Sequence, residues 1–172
     1  KETAARWRAE AVRLGYPGLL LVAANAFGFT DHKAIGFDAI VEFPPHGRVA
    51  AEIGHSLKLY NPAYSGAVYS YQEIAQTTHS PYISGSTVIP GAMPSWDNEA
   101  RRPGRGNVMH GSTPSLFREW LDRCFIAATK NAVNSCPFVF INAWNEWAEA
   151  AYLEPDRFFG YAYLAAVASC IQ

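Results

Sequence analysis

Four short runs of almost unbroken apolar residues, each bounded by glycine or proline, constrain the chain most: Gly18 to Ala24, Ala39 to Phe43, Val88 to Met93 and Phe138 to Ala143. Runs of this length read as strands, and strands apolar on both faces are covered on both, which is the habit of parallel sheets with helices in the crossovers. The segments between them supply helices. Thr113 can cap a helix whose first position suits Pro114, and Phe117, Leu121, Cys124, Phe125 and Ala128 then fall on one apolar face. A second helix is expected around Tyr71 to Gln76 and a closing one over Phe158 to Ile171. The opening KETAARWRAEAVRLG reads as an amphipathic helix ending before Gly15, so the chain reads as beginning inside a domain. The order α-β-β-α-β-α-β-α predicts an α/β fold with a weak or missing helix between the first two strands. Its four strands should be adjacent and parallel, with their C-terminal ends on one face.

Composition removes several function classes. The 172 residues suit one domain, 49% of them are hydrophobic, and no apolar run reaches the 18 or so residues that would suggest a membrane span. A formal charge of -1 gives no overall cationic field for nucleic acid or an anionic membrane. The three cysteines, Cys124, Cys136 and Cys170, lack CxxC or any regular spacing, which fits a reducing compartment better than a disulfide framework or a zinc site. No His pair has metal-ligand spacing on a recognisable element, so no metal and no cofactor are expected.

In parallel α/β folds the chemistry gathers beyond the C-terminal ends of the strands. Here those positions hold Asn25 and Phe27, then Glu42, Pro44, Pro45 and His46, then PSWDNEARRPGRGN, then NAWNEWAEAAYLEP. The last is the sharpest signal. Glu146 and Glu149 stand three apart directly after a strand, so one helical turn would bring both carboxyls to the same side of a cleft. Two close carboxylates repel, leaving an acid beside a base, the pair that glycoside chemistry uses. Trp144 and Trp147 can stack on sugar rings and Asn142 and Asn145 can bond hydroxyls, with Glu154 a third carboxylate just beyond. The plainer alternative is glutamates capping a helix and tryptophans filling core.

NAWNEWAEAAYLEPD, GFDAIVEFPPH, and PGAMPSWDNEARR followed by HGSTP together resemble the WbsX-type family of bacterial polysaccharide-biosynthesis proteins, related to glycoside hydrolase family 99. The likeness runs from about Trp7 to the C-terminus. It implies a (β/α)8 TIM-type barrel, and with four strands in hand residues 1–172 read as a single domain forming the C-terminal half of one. It also implies a cytoplasmic bacterial enzyme that makes or cleaves glycosidic bonds of lipopolysaccharide O-antigen or capsule. In the hydrolase relatives the first glutamate of Glu-x-x-Glu is a base toward the sugar 2-hydroxyl and the second the acid/base at the glycosidic oxygen, which assigns Glu146 as base and Glu149 as the protonated partner. This chain has Trp147-Ala148 where the hydrolases commonly carry Trp-His, and hydrolysis and transfer both stay open.

Trp96 and Asp97 can contact a sugar, while Arg101, Arg102 and Arg105 can neutralise a phosphate or a uronic acid, unless this is simply a solvated basic loop. No Asp-x-Asp or Gly-rich phosphate loop accompanies them. His46 and His110 are placed to face the cleft; His32, His55 and His79 read as solvated. The expected partner is an oligosaccharide or sugar-containing substrate, with no nucleic acid and no membrane span. Exposed edges of a half barrel would need the other half or a second copy to cover them. Three functions compete: a glycosidase-like enzyme using Glu146 and Glu149, a metal-independent transferase whose arginines hold a sugar diphosphate, and a non-catalytic module with Trp96, Trp144 and Trp147 as its platform.

Overall fold

The computed structural model describes residues 1–29, 31–77, 87–130, 132–133 and 135–171. In chain order its elements are helix α1 (Glu2–Arg13), strands β1 (Val22–Asn25), β2 (Ala39–Glu42) and β3 (Ala67–Ser70), and helix α2 (Tyr71–Gln76). Strands β4 (Val88–Ile89), β5 (Gly91–Ala92), β6 (Trp96–Asp97) and β7 (Asn107–His110) follow, then helix α3 (Pro114–Lys130). The chain ends with strands β8 (Phe140–Ile141), β9 (Asn145–Glu146) and β10 (Ala151–Tyr152) and helix α4 (Ala162–Cys170).

The four apolar runs are neighbours, and their pairings are parallel. Strand β1 lies beside β2, β2 beside β4, and β5 beside β8. Each strand is shorter than its apolar run. In the third run Pro90 has no N–H to donate, so the ladder changes partner there: residues before it pair with β2 and residues after it with β8, where Phe140 N donates to the Pro90 carbonyl. Between β1 and β2 the described residues form turns rather than a helix, held by Arg8 of α1, which bonds the Gly36 carbonyl and the Asp38 carboxylate at 2.8 Å each.

Strands β5 and β2 approach closely enough that Gly91 has no room for a side chain. A Cβ there would lie 2.1 Å from the Glu42 carbonyl oxygen. Gly91→Ala is therefore expected to destabilise by about 2 kcal/mol through overpacking, read as a drop of roughly 4–8 °C in a thermal melt.

The core forms where helices cover one face of this sheet. Phe117, Trp120, Leu121, Cys124 and Ala128 line the buried stripe of α3, and the first four pack with Tyr71 and Ile74 of α2, Ala92, Met93, and Tyr163 and Ala166 of α4. Phe125, expected on that stripe, is only partly buried against it. Thr113 Oγ1 accepts from Leu116 N at 3.2 Å, as a cap should. The closing helix starts four residues later than the sequence suggests, because the Asp156 carboxylate accepts the N–H groups of Phe158 and Phe159 and holds them in a turn.

A second sheet, in the order β3-β7-β6, is absent from the sequence reading. Its strands mix polar and apolar residues, as suits a ribbon with a different environment on each face. The expectation for His32 is corrected: it is 1% exposed, folded under the turns after β1. Neither of its ring nitrogens has a hydrogen-bond partner among the described residues. His55 is exposed, as expected, and His79 lies outside the described residues. Among the described residues no helix is long and apolar enough to cross a membrane.

Candidate active site

The β3-β7-β6 ribbon stands at the C-terminal side of the parallel strands and walls a cleft of about 640 Å³, inside the ~300–1,000 Å³ range of small-molecule sites. Asn98 and Asn107 line the cleft, Ser95, Asp97, Val108 and His110 line a second pocket behind the ribbon, and Trp96 and Met109 lie between and border both. The segment after β2 supplies His46 and Arg48 to the cleft, and the segment after β9 supplies Glu149.

Glu146 and Glu149 are brought together, by a route slightly different from the expected helical turn. Glu146 pairs with Ala151 across the β9–β10 hairpin, and a 3-10 turn over Trp147–Glu149 closes it, with Ala150 in the left-handed region at φ 50°. Arg101 reaches both carboxylates, its Nη2 2.9 Å from Glu146 and its Nε 3.6 Å from Glu149. One guanidinium thus sits against two like charges. Since all three groups keep solvent contact, the contribution to stability is small, about 0–1 kcal/mol. Its consequence is geometric: both carboxylates are oriented by one cation at the cleft wall.

Around this pair the predicted residues divide. Trp147 stacks on Tyr152 with centroids 3.8 Å apart, and its indole N–H donates to Glu154 at 2.6 Å, so one ring face is already covered. Trp144 and Asn145 are exposed on the same hairpin. Asn142 is buried and its Nδ2 donates to the Pro44 carbonyl at 2.8 Å, tying the ends of β8 and β2 together rather than offering that amide to a sugar. Trp96 is 8% exposed and packed into the core cluster, which leaves it as cleft wall with little ring surface to offer. Asp97 and His110 face away from the cleft, and Arg101 is engaged by the glutamates. Arg102 lines the cleft, and no carboxylate pairs with it among the described residues.

Arg48 carries no signal that the sequence reading used, while Phe27 and His46 stand beyond the strand ends it named. Phe27 is 93% exposed at φ 53° and packs on His46, with ring centroids 4.7 Å apart. Beneath them Arg48 pairs with Glu42 at 2.8 Å with both side chains almost wholly buried. Arg48 also donates to the Thr77 carbonyl and lies 5.1 Å from the Trp120 ring centre. A lone glutamate in an apolar strand signals such a partner, because a buried charge needs one.

Residues 1–167 match the family described as Glycosyltransferase WbsX. Two curated relatives, each named uncharacterized protein WxcX, come from Xanthomonas campestris pv. campestris, strains B100 and ATCC 33913. Each is 41% identical over 165 residues, covering 96% of this chain and 24% of its own. The chain thus spans about a quarter of the length of these relatives. A solved structure described as a glycoside hydrolase-like protein superposes on 98% of the chain and 49% of its own, with a TM-score of 0.60 at 17% identity, a likeness of fold.

Proposed function

Because the chain belongs to the WbsX glycosyltransferase family, we propose that it is part of a cytoplasmic carbohydrate-active enzyme that makes or cleaves glycosidic bonds of a bacterial surface polysaccharide, with residues 1–172 as the C-terminal half of a (β/α)8 barrel. The observation that carries this reading is the convergence of Glu146 and Glu149 on one guanidinium at the wall of a sugar-sized cleft. In the proposed roles Glu149, which lines the cleft, gives its proton to the glycosidic oxygen as the bond to the anomeric carbon breaks. Glu146 accepts the proton of the neighbouring 2-hydroxyl, and Arg101 positions both. Trp144 supplies a stacking face and His46 with Phe27 bounds the sugar on the opposite side. The test is turnover by the intact protein on an oligosaccharide and nucleotide-sugar panel, wild type against Glu149→Gln. Wild-type rates in the variant would reject the assignment.

A second reading, transfer from a sugar diphosphate without metal, is favoured by one observation: Arg102 lines the cleft without a carboxylate partner among the described residues. If it binds an anion, Arg102→Ala should weaken binding of uridine diphosphate or a uronic acid by roughly tenfold, as loss of a charge-assisted hydrogen bond would, and added salt should mimic the loss in the wild type. Equal binding of neutral and anionic ligands at low and high salt would remove this reading. Arg101→Ala should behave differently, lowering turnover more than binding, since its charge is held by the glutamates.

A further inference from the structure

The pocket behind the ribbon has about 250 Å³ of space, smaller than the ~300 Å³ at which drug-sized sites begin, so it suits a single ring. Its walls come from Asp97, Val108 and His110 of β6 and β7, from Trp96 and Met109, which separate it from the cleft, from β10, and from the turn entering α4. Asp97 and His110, which the sequence marks as site residues but the cleft does not use, both line it. Tyr163 lines it as well. It is 6% exposed, and its hydroxyl is buried without a hydrogen bond of normal geometry, the Ser112 hydroxyl being its neighbour. With the Ser112 hydroxyl as its neighbour, that hydroxyl has its hydrogen-bonding capacity only partly met.

The remaining polar groups indicate what would meet the rest. Asp156 is saturated by Tyr152 O–H and the Phe158 and Phe159 N–H groups, so it contributes charge rather than a free acceptor. Burial acts to raise its pKa, but the backbone donors Phe159 and Phe158 and the Tyr152 hydroxyl outweigh it and keep the carboxyl below its usual range. Asp97 uses one oxygen on Glu99 N at 2.8 Å and keeps the other. Asp97, His110, Ser112 and Tyr163 therefore offer donors and acceptors side by side, between two carboxylates and the rings of Tyr152 and Phe159. Hydroxyls need both kinds of partner, aromatic rings suit the apolar face of a pyranose, and the carboxylates repel an anionic ligand.

We propose that this pocket is a second carbohydrate site, which binds one uncharged sugar unit on the far side of the ribbon from the cleft. The choice of a sugar as occupant rests on the carbohydrate-active reading above. The pocket also touches the catalytic hairpin: Ala150 and Tyr152 line it, Tyr152 stacks on Trp147, and Ser95 Oγ donates to the Ala150 carbonyl. A sugar held there contacts the same hairpin that carries Glu146 and Glu149, and so links occupancy by a neighbouring chain unit to the geometry of the pair.

The test is saturation-transfer NMR on the intact protein with methyl α-glucoside, N-acetylglucosamine and glucuronic acid as probes. A neutral probe should bind with millimolar affinity, weak enough to correspond to roughly 4 kcal/mol, and glucuronic acid binding should fall roughly tenfold in Arg102→Ala. Tyr163→Phe and Asp97→Asn should each weaken the neutral probe at least fivefold, while Arg118→Ala, on the exposed side of α3, leaves it unchanged. Tyr163→Phe removes only a partly satisfied hydroxyl and Asp97→Asn keeps the acceptor for Glu99 N, so both should fold. Neutral binding lost in Glu149→Gln or Arg102→Ala but kept in Tyr163→Phe places the ligand in the cleft and overturns the proposal, as does no binding of any neutral probe. Failure of the catalytic reading is separate, being read from turnover in Glu149→Gln alone.

Discussion

Glu149→Gln and Glu146→Gln should each cut turnover of the intact protein by about a hundredfold or more, the share that a positioned acid or base supplies. Both substitutions are nearly isosteric, and both sites keep solvent contact, so the amide oxygen can still accept from Arg101 and the fold should survive. The two variants should differ in one respect. An aryl glycoside, whose leaving group departs without protonation, should restore much of the rate to Glu149→Gln, because the missing proton is no longer required. It should do nothing for Glu146→Gln, whose defect lies on the 2-hydroxyl. Far-ultraviolet circular dichroism checks folding, and initial rates on the natural-type and aryl substrates check the roles. Rescue of Glu146→Gln in place of Glu149→Gln would exchange the assignments, and wild-type turnover in either would remove that residue from the chemistry.

What the sequence makes legible follows from how strongly each residue's surroundings depend on its neighbours along the chain. The apolar runs are read correctly as adjacent parallel strands because each is a local pattern of a few residues, although burial on both faces is not general, Ala24 of β1 and Phe140 of β8 being exposed. The Glu146 and Glu149 pair is legible for the same reason: both sit in one short segment beyond a strand, so local spacing already brings them together. Arg101 is 45 residues from Glu146, and no periodicity connects them. The ribbon is harder still. Strands Asn107–His110 and Trp96–Asp97 lie between a cleft and a back pocket, both partly polar, so the hydrophobic contrast that marks a strand is missing. That is why Trp96 and Asp97, adjacent in sequence and read as one sugar contact, differ: Asp97 lines the back pocket alone, while Trp96 lies between the two spaces and borders both. His32 shows the limit in another way. Nothing in GFTDHKAIGF distinguishes a solvated histidine from a buried one, because its burial comes from how the turn folds back over it.

Arg48→Met should be the most destabilising single change at the cleft, costing about 3–5 kcal/mol, the range seen when one member of a buried ion pair is removed. The reason is the state in which it leaves Glu42. The Glu42 and Arg48 side chains are 2% and 1% exposed, and Glu42 Oε2 accepts from Arg48 at 2.8 Å and from Gly91 N at 3.3 Å. Without the guanidinium the buried Glu42 carboxylate loses this cation and its 2.8 Å hydrogen bond, and the Thr77 carbonyl and the Trp120 ring lose their contacts as well. Glu42→Gln in the Arg48→Met background removes that charge while keeping an acceptor for Gly91 N. The double variant should therefore be more stable than Arg48→Met alone, by 1 kcal/mol or more of the kind of coupling that contacting residues show. Urea unfolding followed by tryptophan fluorescence measures both. Additive losses would mean that the pair contributes no mutual compensation, and that the floor of the cleft is held by packing around Trp120 alone. Because Arg48 and His46 both line the cleft, a shift in the urea midpoint should be matched by weaker ligand binding even under conditions where the variant is fully folded.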